Sequence, residues 1–197
     1  MTFGKVLLLT LCLPLLSLPS YAHSKVAVES LLQSADMSAA SGQYKTAVDL
    51  YSKALKGRKN DVSIYQRRAN AKLLMSQPKQ ALTDLNKAVA MAGNDPTNYQ
   101  LRARAFEALA NYRKERLDID HLLAITQPCG VNLLWRAHIS AELKKMNDVV
   151  ADCNQALTLG LQRSELIDLY KLKAQAYKKL GKKLEASREL AKLESVQ

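Results

Sequence analysis

The chain repeats itself every 34 residues, and no other property limits its fold so strongly. Tyr65-Gln66-Arg67-Arg68-Ala69-Asn70-Ala71 returns one period later as Tyr99-Gln100-Leu101-Arg102-Ala103-Arg104-Ala105, and the Arg-Ala pair comes a third time as Arg136-Ala137. A second series keeps step with the first: Asp84-Leu85-Asn86-Lys87-Ala88-Val89, then Asp118-Ile119-Asp120-His121-Leu122-Leu123, then Asp152-Cys153-Asn154-Gln155-Ala156-Leu157. Upstream, Ala47 and Ala54 stand one period before Ala81 and Ala88. Past residue 160 the register slips by three, and Tyr170-Lys171-Leu172-Lys173-Ala174-Gln175-Ala176 resumes the tyrosine series. The extra residues fall between Leu159 and Ser164, where Gly160 predicts a loop. Five copies result, at about 28–61, 62–95, 96–129, 130–163 and 167–197. Repeats of this length are supersecondary units that cannot bury an apolar face alone and must stack on their neighbours.

Each copy reads as two helices. Tyr65, Ala69 and Leu73, like Tyr170, Ala174 and Tyr177, follow the spacing of one helical face. Punctuated gaps separate the two halves of each copy: Ser41-Gly42-Gln43, Ser76-Gln77-Pro78, Leu109-Ala110-Asn111, Met146-Asn147 and Leu180-Gly181-Lys182. Pro96 and Pro128 mark boundaries between copies. Aromatics at 6%, with only 7 Gly and 5 Pro, leave a chain rich in residues that lose little side-chain freedom in a helix.

Residues 1–22 have the layout of a secretory signal: Lys5 as the positive start, an apolar run over 6–18, and Ser20 and Ala22 as a small-residue cleavage site. Leu11 before Cys12 does not suit lipidation. The domain is then 23–197, exported to a periplasmic or secreted location, with a bacterial envelope expected. Loss of Lys5 takes the net charge from +11 to +10. Export permits a disulfide between Cys129 and Cys153, but the repeat puts one ahead of a helix and the other well inside the next, an offset a disulfide tolerates poorly.

These residues resemble the tetratricopeptide repeat family over essentially the whole of 23–197. The first copy carries Gly42-Gln43-Tyr44, Ala47, Tyr51 and Ala54, and the fifth carries Tyr170, Ala174, Tyr177, Gly181, Ala186 and Leu190. The resemblance implies an all-α solenoid of five antiparallel helix pairs in a right-handed superhelix. Ala69, Ala103, Ala137 and Ala174 would let paired helices approach, with Tyr51, Leu85, Ile119 and Leu190 as knobs. Two copies depart from the pattern, with Glu115 and Val149 at the small position of the second helix, where looser packing is expected. Copy one has Ser34 and Ser38 at core positions, as suits a solvated end cap.

The resemblance further implies a concave groove lined by first helices, which receives a peptide or helix of a partner protein. It brings Gln66, Asn70, Gln100, Arg104, His138, Lys171 and Gln175 towards that groove; each alone also suits a solvated polar face. Amides pair with peptide backbone and Arg104 with a carboxylate. The family's clamp for a C-terminal carboxylate is broken here by Gln66 and Leu101.

Nothing suggests an enzyme. His23, His121 and His138 lack partners at ligand or catalytic spacing, and no phosphate-binding loop or nucleophile motif occurs, so no catalytic residue, metal or cofactor is expected. Trp135, with Val131 and Ile139 on its helical face, reads as core or groove wall. The basic balance would raise nucleic acid as a partner, but export argues against it. The leading expectation is a protein-binding scaffold. The alternative is a basic protein that associates with anionic lipid or cell-wall polymer.

Overall fold

The computed structural model describes residues 20–196, and all their regular structure is α-helical. The helices are α1 (Ser20–Ala40), α2 (Tyr44–Gly57), α3 (Val62–Leu74), α4 (Pro78–Met91), α5 (Pro96–Glu107), α6 (Tyr112–Ile125), α7 (Gly130–Glu142), α8 (Met146–Thr158), α9 (Arg163–Lys179) and α10 (Lys183–Val196). The expected leader lies outside the described residues except for its last three, which head α1. No described helix is long and apolar enough to cross a membrane. Consecutive helices pack in pairs, and each pair packs on the next. Beyond chain neighbours, the helices that meet most are first helices: α3 with α5, and α7 with α9. A row whose first helices approach each other more closely than its second helices curves towards the first, which makes theirs the inner face.

Local chemistry sets the ends of the helices. Asp61 and Asp95, one period apart, cap α3 and α5 by accepting from the backbone N–H of Ser63 (3.1 Å) and Thr97 (2.9 Å). Pro78 and Pro96 stand in the first turn, where a missing N–H costs nothing. Between the two helices of every pair, one residue takes a left-handed backbone: Gly42 (φ 75°), Ser76 (56°), Ala110 (51°), Lys144 (60°) and Gly181 (76°). These positions recur with the repeat, including its three-residue slip. Glycine adopts that conformation freely, whereas a side chain is strained there by about 1–2 kcal/mol. Ser76→Gly, Ala110→Gly and Lys144→Gly should therefore each stabilise the fold, by about 0.5–1 kcal/mol after the extra chain entropy of glycine. Urea unfolding of each variant checks this, and a lowered midpoint would contradict it.

Small residues form the seam within the pairs. Ala35, Ala69, Ala103, Ala137 and Ala174 are buried at equivalent positions, facing buried Tyr51, Leu85, Ile119 and Cys153 and half-buried Leu190. Cys153 thus supplies the knob of the fourth pair, and burial pushes its thiol up to about 12. Cys129 is exposed at the start of α7, and the two thiols are unpaired. In α1, Val28, Leu32 and Ala35 are buried while Ser34 is exposed.

The structure differs from expectation in two places. Packing is not loose at the departing positions, since Val149 is fully buried and Glu115 is 2% exposed. Valine fills the space, and the glutamate carboxyl is held by a hydrogen bond described below. The loop before the last pair is also shorter than expected. Helix α9 starts at Arg163 and runs 17 residues, against 12 or 13 for α3, α5 and α7, so part of the insertion becomes an added helical turn. Glu165 holds that turn by accepting from the N–H of Gln162 at 2.7 Å.

The two repeated series meet as ion pairs. Arg68 grips Asp84 through Nε (2.9 Å) and Nη2 (2.6 Å), Arg102 grips Asp118 (2.9 and 2.7 Å), and Arg136 grips Asp152 (3.1 and 2.6 Å). The fifth pair repeats the contact with other residue types, Lys173 to Glu189 at 3.2 Å. Each arginine also reaches back through Nη1 to the second helix of the preceding pair: Ser52 (2.9 Å), Asn86 (3.2 Å) and Asp120 (3.2 Å). One guanidinium therefore ties together three helices and two repeats, a task its planar fork of donors allows.

Candidate partner-binding groove

The residues expected to face the groove do not form one equivalent set. Gln100, Arg104, His138, Lys171 and Gln175 are exposed on α5, α7 and α9, and Asn70 is half-buried on α3. Gln66 is engaged within the fold, its amide nitrogen donating to Asp95 Oδ2 (2.6 Å) and Asn98 Oδ1 (2.8 Å). Asn98, itself fully buried, donates to the carbonyls of Ala88 (3.2 Å) and Ala92 (2.7 Å) at the end of α4. That chain of amides satisfies a helix C-terminus across the boundary between pairs two and three.

Two adjoining pockets lie along α5, α7 and α9 and share His138 and Glu142. One, of about 420 Å³, brings His138, Lys171 and Gln175 together with Lys144, Asp168 and Lys179. Here His138 Nε2 lies 2.7 Å from Asp168 Oδ2 on the next first helix. The other, of about 260 Å³, is formed by Glu107 of α5, Tyr112 and Glu115 of α6, and Trp135, His138, Ile139 and Glu142 of α7. A larger hollow over the α2–α3 loop is lined only by consecutive residues 56–63, so it gathers no groups from separate elements.

Glu115 dominates the smaller pocket. Its Oε1 accepts from the indole Nε1 of Trp135 at 2.7 Å, while its buried Oε2 has no hydrogen-bond partner. Burial raises the Glu115 carboxyl to about 7; the Trp135 hydrogen bond pulls it down, and the charges of Glu107 and Glu142 push it up. Near neutral pH the group therefore shares its time between the neutral and charged forms.

Sequence reasoning located His138, Lys171 and Gln175 but missed Glu107, Glu142 and Asp168 as their neighbours. The spacing of Arg104 to Glu107 and of His138 to Glu142 could have placed those glutamates on the same helical faces. Asp168 comes from a different pair, 30 residues along the chain from its partner. Among the described residues, no three His, Cys, Asp or Glu side chains are arranged to hold a metal ion.

No family profile matches the chain, and no curated protein matches it in sequence. Its three-dimensional structure does have counterparts. A crystal structure of MamA protein superposes with a TM-score of 0.79 at 15% identity, covering 86% of this chain and 91% of the other. MamA (41-end) from Desulfovibrio magneticus gives 0.79 at 11% identity, over 86% and 94% of the two chains. A thermophilic TPR protein of Thermus thermophilus gives 0.57 at 20% identity, over 84% and 89%. Such low identities speak for the fold alone. The fold is that of tetratricopeptide-repeat proteins.

Proposed function

We propose that the protein is a non-catalytic scaffold that binds a segment of a partner protein along the face lined by α3, α5, α7 and α9. The observation that carries this reading is the row of exposed Gln100, Arg104, His138, Lys171 and Gln175 beside two adjoining pockets built from separate helix pairs. Backbone amides of an extended segment match Gln100 and Gln175, and charged groups match the two pockets. The signal-like layout of residues 1–22 supports a place outside the cytoplasm, in a bacterial envelope or secreted space. Affinity capture from an envelope extract, followed by mass spectrometry, tests the proposal. The partner bound by the unaltered protein should be lost or reduced about tenfold or more with a Gln100→Ala/Arg104→Ala double variant; undiminished capture would contradict the groove.

One observation favours a second reading, association with anionic lipid or wall polymer. Leu117 of α6 is 67% exposed and shares a surface hollow with Arg113, Lys145, Leu143 and the Arg116–Asp120 ion pair. An exposed apolar side chain beside a surplus of cations suits a negatively charged surface. Binding of that kind should collapse between 50 mM and 500 mM salt, whereas groove binding through desolvated contacts should persist.

A further inference from the structure

The protein carries a formal charge of +11, yet the pocket between α5 and α7 is acidic. Glu107 and Glu142 are exposed at its rim and Glu115 is buried at its wall. A buried carboxylate oxygen with no donor is costly when charged, and Glu115 Oε2 is such an atom. Glu115 is one of the residues lining a cavity of about 260 Å³, room enough for a side-chain headgroup. The carboxylates are not arranged to close on a metal ion, so a larger cation with several donors fits better. Trp135 forms another wall, and an indole is the best aromatic partner for a guanidinium or ammonium.

We propose that the pocket of Glu107, Glu115, Glu142 and Trp135 is the receptor for a cationic side chain, arginine or lysine, of the bound partner. The proposal rests on the groove reading above and gives it chemistry. A guanidinium in the cavity can pair with the Glu115 carboxylate while facing the charges of Glu107 and Glu142, and its planar fork makes arginine the stronger ligand. Tyr112 of α6 and His138 of α7 are the other titratable groups facing Glu115. His138 is already turned to Asp168, which leaves the three glutamates to set the sign of the pocket. Entry of a cation favours the charged form of Glu115, so affinity rises with pH as that group ionises around 7.

Trp135 is the only tryptophan in the chain and therefore reports on the pocket without a label. The probe is a capped, glycine-flanked arginine peptide, compared with the same peptide carrying neutral citrulline. At pH 8 the arginine peptide should change Trp135 fluorescence saturably, and citrulline should bind at least about tenfold more weakly. Glu115→Gln keeps an oxygen acceptor for the indole but no charge, and should weaken arginine binding at least about tenfold; so should lowering the pH to 5.5. A Glu107→Gln/Glu142→Gln variant, altered only at exposed positions, should weaken it without loss of helicity. Equal response to arginine and citrulline, or unchanged affinity in both variants, overturns the proposal. The two readings fail separately. Loss of partner capture on Gln100/Arg104 substitution with no arginine response leaves the groove and removes the pocket, while the reverse pattern removes the groove.

Discussion

Arg102→Ala should destabilise the protein by about 3 kcal/mol, more than the same change at Arg68. Asp118 is nearly buried and receives two hydrogen bonds from Arg102, at 2.9 and 2.7 Å. Removing the guanidinium leaves that carboxylate charged, buried and unpaired, a defect that typically costs about 3–5 kcal/mol. Asp84 is more protected, because Lys72 Nζ also lies 2.7 Å from it and stays when Arg68 is gone. The reverse deletion is milder: Arg102 is partly exposed in the folded chain and can turn its charge to water, so Asp118→Ala should cost about 1–2 kcal/mol. Replacing both partners by apolar residues, Arg102→Met with Asp118→Leu, should be close to neutral. Urea unfolding of the four variants checks the order. Equal losses at Arg68 and Arg102 would mean that the arginines act through packing rather than through the carboxylates.

The second large effect is on pH dependence, through Glu115. Its carboxyl titrates near 4.5 in an unfolded chain and at about 7 in the fold. A group raised on folding binds its proton more tightly in the native state. Its stabilising contribution is therefore complete below pH 4.5 and lost as pH rises through 7. At 1.36 kcal/mol per pH unit, the fold should be weaker by about 3 kcal/mol at pH 8 than this group alone would allow at pH 4. Other carboxylates titrate too, so the difference between the protein and Glu115→Gln isolates the effect. The glutamine keeps an acceptor for Trp135 Nε1 and carries no charge. It should leave stability at about pH 4 nearly unchanged and raise it by about 2–3 kcal/mol at pH 8. A variant equally stable at both values relative to the unaltered protein would show that Glu115 ionises without penalty.

The helix pairs were legible because their packing demands small and large residues at fixed intervals, which the alanine and knob positions carry openly. The arginine and aspartate series were visible too, yet not their union. Arg102 and Asp118 are 16 residues apart, and only the antiparallel turn between α5 and α6 folds one onto the other. The turn itself was hidden where Ser76, Ala110 and Lys144 occupy positions that Gly42 and Gly181 advertise in the outer copies. Glu115 stood out as a break in the pattern, and the break was read as a packing defect. What it provides is a buried acid, recognisable only once Trp135 and the rim glutamates are seen around it. Local spacing can place each rim glutamate on a helical face, but the pocket joins α5, α6 and α7, and only the fold brings Glu115 to Trp135, 20 residues along the chain.

The claim that the inner face holds the partner is tested most directly by site-specific photo-crosslinking. A photoreactive amino acid would replace Gln100 on α5 in one variant and Leu117 on α6 in another, both in living cells that make the protein. Both positions are exposed, and they lie on first and second helices of the same pair. The account predicts a discrete adduct from position 100 that weakens with the Glu107→Gln/Glu142→Gln change, and none from position 117. An adduct from position 117 with none from position 100 would contradict it and move binding to the outer surface.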